Sequence, residues 1–458
     1  MQVDPDIFKA NDIRGVYPDA LNDAVAYAVG RAFVTLLMVD TVVVGRDMRL
    51  SSPPIFNALT QGLIHGGADV LDIGMVSTDQ YYYACATLDL AGIMVTASHN
   101  PPQYGGLKMV KRMPHIVSGD MVQDLRDIIE TDAFVQPVRT GKMVEKVRDI
   151  DPSSLTEGFI EKILSLIDVD ALIPMKVITD TGNGMVGPIL KRIYSHLPTV
   201  ELTGMYLEPD GNLPNHGPDP LQPENRAELQ RRVVTEGADI GFAFDGDGDR
   251  CFAVDDRGEF VSSDFLSALI GQYLLESNPG AKMMYAPRCS HAVRDLITDA
   301  GGIALTERVG HAIMKQRLAQ EDALFATEGT GHYYFRDFFY ADSGILPSLI
   351  VMEMLSKKRS ALSDLLKPLE STYFISGEIN TPISADPTAK MEEIVKVFGK
   401  GGEVEWLDGI SISFGDWRFN VRPSNTEPLL RLNLEATSKE LMEQKRDAVL
   451  KVVQAGSG

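Results

Sequence analysis

The sequence predicts a multidomain α/β protein that ends in a smaller α+β domain. Three observations predict this. Short β-branched runs alternate with helix-like segments along most of the chain. The succession of strand, polar loop and helix restarts twice, near residues 175 and 281. Beyond residue 369 the apolar period falls to two and a hairpin turn appears. The 458 residues, at roughly 150 per domain, suit about three domains.

The elements follow in order. TVVVG (41–45) is a buried-strand candidate ending in glycine. Ser51-Ser52-Pro53 reads as an N-cap followed by proline in the first helical turn. Ile55, Leu59 and Leu63 share one helix face, and Gly66-Gly67 ends that helix. ADVLDIG (68–74) and AGIMVT (91–96) are further strands. MKVITD (175–180) leads through TGNGMVGP to a helix over 189–196, and GADIGFAFD (237–245) ends in an acidic loop. AKMMYAPR (281–288) precedes a helix over 291–300. Mostly parallel sheets covered by helices result, in units of similar architecture but without a residue-level repeat. ISISF (410–414) and WRFNV (417–421) flank Gly415-Asp416, a two-residue hairpin turn. Trp417, Phe419 and Val421 share one face, and Arg418, Asn420 and Arg422 the other. LLRLNLEA (429–436) continues the alternation, and Ser438 caps a helix over 439–453. Composition shifts divide the chain into 1–150, 151–254, 255–368 and 369–458.

Hydrophobic residues are 44% and charged residues 23%, the balance of a soluble globular protein. A net charge of −21 repels nucleic acid and anionic lipid, so neither is an expected partner. An anionic substrate then needs a local basic cluster. Cys85, Cys251 and Cys289 are few, odd in number and far apart, which suits reduced thiols in a cytoplasmic protein. No apolar run approaches the ~18 residues of a membrane span.

Four segments carry chemistry. Thr96-Ala97-Ser98-His99-Asn100-Pro101 follows a buried strand, where α/β sheets place ligand loops. A polar turn with a capping serine has the same composition. A hydrolase triad is disfavoured, because no G-x-S-x-G surrounds Ser98 and an adjacent histidine rarely reaches back. Asp245-Gly246-Asp247-Gly248-Asp249-Arg250 sets three carboxylates between glycines that let them converge. Such carboxylates repel unless a cation offsets them. An EF-hand fails, since its sixth and twelfth positions would be Arg250 and Asp256. Mg²⁺, which takes few protein oxygens plus a phosphate, fits better. Arg422-Pro423-Ser424-Asn425-Thr426-Glu427-Pro428 has the donors of a phosphate cradle or of a capped turn. Glu328-Gly329-Thr330-Gly331-His332 suits vicinal sugar hydroxyls, or is a bland glycine-rich loop. Asp12-Ile13-Arg14-Gly15, Gly45-Arg46-Asp47, Lys108 and His216 are ambiguous singly.

Together TASHNP, DGDGDR, EGTGH and RPSNTEP resemble, in order and over essentially the whole chain, the α-D-phosphohexomutase family. Within it they resemble the bacterial phosphomannomutase/phosphoglucomutase type. The resemblance implies four domains around a central cleft, three related α/β units and a fourth like the TATA-binding protein. They would hold, in turn, the phosphoserine, the metal, the sugar-recognition loop and the phosphate-binding loop. It implies reversible exchange of hexose 1-phosphate and hexose 6-phosphate, on mannose, glucose or both, through a phosphoserine and a 1,6-bisphosphate. Ser98 is then the phosphoryl carrier, and Ser98, Asp245, Asp247 and Asp249 hold one Mg²⁺ per subunit. Lys108, His332 and Arg14 are candidates for proton transfer, with His99 and Arg250 completing the catalytic set. Glu328, Thr330 and His332 would bind the sugar. Arg422, Ser424, Asn425, Thr426 and Arg431 would bind phosphate, with Arg308, His311 and His216 as further substrate contacts. Glucose 1,6-bisphosphate is the implied activator, and a monomer or weak homodimer the implied assembly. The departures are Asn11 where tyrosine is common, Thr330 for serine, Arg308 for lysine and Gly105 for asparagine. The alternatives are an amino-sugar phosphate mutase, a Mg²⁺-dependent sugar phosphatase and a non-catalytic sugar-phosphate binder. The absence of the amino-sugar enzymes' glutamine from EGTGH disfavours the first.

Overall fold

The computed structural model describes residues 1–424 and 428–455, folded as four sheets in succession. The first holds β1 (Ile13–Val16), β2 (Thr41–Arg46), β3 (Asp69–Met75), β4 (Ala91–Val95), β5 (Tyr104–Arg112), β6 (His115–Ile116) and β7 (Met143–Val144). The second holds β8 (Met175–Asp180), β9 (Val200–Met205), β10 (Ile240–Phe244) and β11 (Cys251–Val254). The third holds β12 (Lys282–Tyr285), β13 (Ile303–Thr306), β14 (Phe325–Thr327), β15 (Tyr333–Phe335) and β16 (Ala341–Asp342).

One strand order runs through all three sheets. In the first, β5-β4-β2-β3 lie side by side, with only the β4/β5 pair antiparallel. The second repeats this as β11-β10-β8-β9, and the third as β15-β14-β12-β13. Each parallel crossover passes through a helix, as parallel pairing requires. The repeated unit expected from the sequence is therefore present as topology.

Local packing follows the sequence pattern. Ile55, Leu59 and Leu63 are fully buried on the helix Ser52–His65. That helix crosses Asp23–Leu37 closely enough that a Cβ on Gly62 would lie 2.1 Å from the Tyr27 carbonyl oxygen. Ser51 makes no side-chain cap, contrary to expectation; Ser52 Oγ instead donates to Asp47 at 2.5 Å. The fourth sheet is antiparallel, ordered β17 (Phe374–Pro382), β21 (Leu429–Ala436), β20 (Trp417–Pro423), β19 (Ile410–Ser413), β18 (Glu403–Glu405). Ser413 pairs with Arg418 and the Phe414 N–H donates to the Trp417 carbonyl, which closes the Gly415-Asp416 hairpin. Trp417, Phe419 and Val421 enter that domain's core. Ser438 caps the last helix, Lys439–Gln454, at the Leu441 N–H.

One apolar core runs continuously through the first three units, from Val43 and Met94 to Phe325 and Leu349. The fourth domain has a separate core and meets the third through a mostly polar seam, with Ile375 packed against the larger core. Arg418 donates to the carbonyls of Pro287 and Cys289, both at 2.5 Å, and Glu435 accepts from Ser290 Oγ and the His291 N–H. Among the described residues no helix is long and apolar enough to cross a membrane.

Candidate active site

Each α/β unit places one of the sequence-selected segments in the same turn, between its last parallel strand and the antiparallel strand that follows. The β4–β5 turn holds Ser98, the β10–β11 turn holds Asp245 to Arg250, and the β14–β15 turn holds Glu328 to His332. These turns lie at the carboxyl ends of parallel strands, where open α/β sheets bind ligands.

Ser98 is buried with φ of +50°, a left-handed conformation that its loop must enforce. Its N–H donates to Thr96 Oγ1, and its hydroxyl donates to Asp245 Oδ2 at 2.8 Å. His99 Nδ1 lies 3.3 Å from the same hydroxyl. Burial, and the Arg250 and Arg14 charges, push the His99 imidazole well below its ordinary pKa, so the ring is neutral. Arg14 donates to the Ala97 carbonyl at 3.1 Å and to Asn100 Oδ1, and is itself oriented by Asp12.

Arg49 is one residue the sequence reading missed. It is 1% exposed, and it donates to the carbonyls of Ser98 and Asn100 at 2.6 Å, Pro101 at 2.8 Å and Tyr104 at 3.3 Å. Asp47 lies 3.2 Å from its Nε. The signal available was an arginine just beyond a strand end, which resembles any surface charge.

In the acidic turn, Asp245 Oδ1 accepts the N–H groups of Gly248 and Arg250. Asp247 Oδ2 accepts from Thr78 at 2.7 Å, Thr96 at 3.3 Å and Lys108 Nζ at 2.7 Å. Lys108 also donates to Asp249 Oδ2 at 2.5 Å. One oxygen from each of the three buried aspartates lies within 4.8 Å of the others. Oδ1 of Asp247 and of Asp249 is buried without a hydrogen-bond partner among the described residues. Three carboxylates against the Lys108 ammonium and, 3.8 Å from Asp245, the Arg250 guanidinium, with unpaired oxygens converging, fit a hard divalent cation. Burial and the charges of Asp249 and Asp247 raise Asp245 well above the usual carboxylate range. Burial opposes the Lys108 charge, but Asp247 and Asp249 outweigh it and hold the ammonium charged.

The third turn joins the second through His332, whose Nε2 accepts from Arg250 Nε at 3.2 Å and lies 3.5 Å from Asp249. Its Nδ1 lies 3.2 Å from Thr330 Oγ1 and 3.7 Å from Glu328. Glu328 Oε1 accepts from the Gly310 N–H and the Tyr334 hydroxyl. His311 follows Gly310 with both ring nitrogens buried and unpartnered among the described residues.

In the fourth domain Arg422 and Arg431 converge, and Arg431 Nη2 donates to Ser424 Oγ at 3.3 Å. Asn425 and Thr426 lie outside the described residues. For two further candidates the described contacts are with residues outside these clusters. Arg308 is exposed, with its backbone N–H on Glu307. His216 is engaged by Asp180 at 3.1 Å, the Gly217 carbonyl and the edge of Tyr206.

A buried serine held against a carboxylate cluster, with a polar glycine-rich turn beside it and a cluster of arginines on the fourth domain, has the chemistry of a site for a polar, anionic ligand. Comparison with known proteins gives the family. Models of phosphoglucomutase/phosphomannomutase α/β/α domains I, II and III match residues 5–136, 157–258 and 262–373, and that family's C-terminal domain matches 378–452. The chain is 39% identical over 453 residues to a phosphomannomutase of Escherichia coli K12, covering 97% of this chain and 98% of that one. It superposes on a crystal structure of a Burkholderia thailandensis phosphoglucomutase/phosphomannomutase family protein with a TM-score of 0.89, at 34% identity over 100% and 99% of the two chains. It also shares its fold with an Aspergillus fumigatus N-acetylphosphoglucosamine mutase solved with GlcNAc-6P and magnesium, at a TM-score of 0.64 and 13% identity over 100% and 96% of the chains. The chain belongs to the phosphoglucomutase/phosphomannomutase family.

Proposed function

We propose that this hexose-phosphate mutase interconverts hexose 1-phosphate and hexose 6-phosphate of mannose, glucose or both, with Ser98 as the phosphoryl carrier. The observation that carries the reading is the 2.8 Å contact of Ser98 Oγ with Asp245, inside a cluster of three aspartates bearing unpaired buried oxygens. Asp245, Asp247, Asp249 and the serine phosphate would hold one Mg²⁺. When bound, it offsets charge on the phosphoryl oxygens during transfer.

A substrate hydroxyl attacks the phosphorus on Ser98. The new O–P bond forms, the Oγ–P bond breaks, and a 1,6-bisphosphate results. The intermediate turns end over end, and its other phosphate returns to Ser98. Lys108, His332 and Arg14 are the groups assigned to the hydroxyl proton. Glu328, Thr330 and His332 face the sugar hydroxyls. Arg422, Ser424, Asn425, Thr426 and Arg431 take whichever phosphate is not reacting, by charge-assisted hydrogen bonds. Glucose 1,6-bisphosphate would activate by phosphorylating Ser98. The chain would act as a monomer or weak homodimer, and in the cytoplasm, a compartment that suits three free buried cysteines.

The test is a ³¹P NMR time course with Mg²⁺ and a trace of glucose 1,6-bisphosphate. Mannose 1-phosphate and glucose 1-phosphate should become 6-phosphates with little inorganic phosphate released. Ser98→Ala should lose at least about a thousandfold in kcat, because the covalent carrier is gone. Conversion of glucosamine 1-phosphate alone, or release of inorganic phosphate alone, would refute the reading.

A further inference from the structure

Arg422 and Arg431 are register partners on adjacent strands, a position where like charges repel. Arg288 reaches the same point from the turn after β12. All three guanidinium groups end on Glu378. Arg431 Nη1 is 2.8 Å from Oε1, while Arg422 Nη2 and Arg288 Nη2 are 3.3 and 3.4 Å from Oε2. Each arginine keeps a buried Nε without a hydrogen-bond partner among the described residues. The pairing of β17 with β21 slips between Ile375 and Glu378, with Gly377 at φ +69°, so a bulge sets where the carboxylate stands. Asp408 is a second, more distant counter-charge for Arg422.

Among the described residues three cations share one carboxylate, with Asp408 further off and three donors in reserve, which forms a seat for a dianion. We propose that Glu378 is the resident counter-ion of this seat, a positioning residue that gathers the three arginines and competes with the substrate's phosphate for them. This rests on the reading of the arginine cluster as the phosphate site. The competition has a use in a reaction whose intermediate must leave the cradle to turn around. A phosphate held too firmly in the ground state lowers KM without raising kcat. Burial works against the Glu378 charge, yet Arg288, Arg422 and Arg431 keep its carboxyl below the usual range, so the competitor is an anion.

The experiment is calorimetric titration of inorganic phosphate, without Mg²⁺, into the full chain and into Glu378→Gln. The variant keeps the side chain's shape and loses its charge. Its phosphate Kd should fall about tenfold, since a repelling charge a few ångströms away has gone. With hexose 1-phosphate its KM and kcat should both fall. A folded Glu378→Gln that binds phosphate no more tightly than the parent overturns the proposal. If that variant fails to fold, the charge-balanced double variant Glu378→Gln with Arg431→Gln supplies the readout. Its phosphate Kd should stay within about threefold of the parent's, and a larger loss overturns the proposal. If the parent chain binds phosphate but converts no hexose phosphate, the mutase reading fails and the counter-ion test still stands.

Discussion

At the residue scale, the loop bearing Ser98 is held from below by Arg49. Four carbonyls between Ser98 and Tyr104 converge on its guanidinium. Arg49→Ala should lower kcat by about a hundredfold or more, because displacing a reacting atom by an ångström costs that much. KM should change far less, and Arg49→Lys should restore little, as one ammonium cannot serve four acceptors. Steady-state kinetics of both variants check this. A second residue gives a pH signature. Asp79 is buried, and burial, opposed by Ser77 and Ser343 hydroxyl donors, raises its pKa to about 7. Its folded-state pKa exceeds the unfolded value, so the folded protein holds a proton that the unfolded chain has released. That contribution to stability is present at low pH and is lost as pH rises toward 7. Asp79→Asn should therefore gain in melting temperature relative to the parent as pH goes from 5 to 8, measured by differential scanning calorimetry.

At the element scale, helices Asp23–Leu37 and Ser52–His65 pass at glycine contact. A Cβ on Gly62 would overlap the Tyr27 carbonyl, and one on Gly30 would overlap that of Leu59. Gly62→Ala should cost about 2 kcal/mol or more, since backbone must move to admit the methyl. Urea unfolding with an unchanged m-value would show it. This scale also explains what could be read in advance. The Gly415-Asp416 hairpin and the helix capped by Ser438 were legible because their determinants lie within a few residues. The apolar stripe of Ile55, Leu59 and Leu63 was legible for the same reason. The strand order shared by three sheets was not, because it lives in pairing between distant segments and leaves no matching residues. In the candidate site, Ser98 and the aspartates announced themselves as clusters of chemistry after strands. Arg49, Arg288 and Glu378 did not, since each acquires its meaning from a partner more than forty residues away.

At the scale of the whole molecule, three units share an apolar core, while the fourth touches it through Ile375 and is otherwise joined by hydrogen bonds and charge. Apolar seams resist opening, whereas polar ones exchange protein partners for water at small net cost. The fourth domain's seam is thus the one expected to open most readily, and Arg418 and Glu435 are among its ties. Arg418→Ala should speed hydrogen–deuterium exchange at residues 287–291 while leaving the first sheet's protection unchanged. It should also raise KM, because the arginines at 422 and 431 ride on the loosened domain.

The three chemical turns share one address in three copies of one plan. A founding unit repeated along a chain would have offered equivalent sites around a common centre, each open to revision without disturbing the others. On the proposed roles, phosphoryl carriage, ion holding and sugar choice would then be separately heritable. A lineage that changed its sugar would edit the turn after β14 and leave the turns after β4 and β10 as they were.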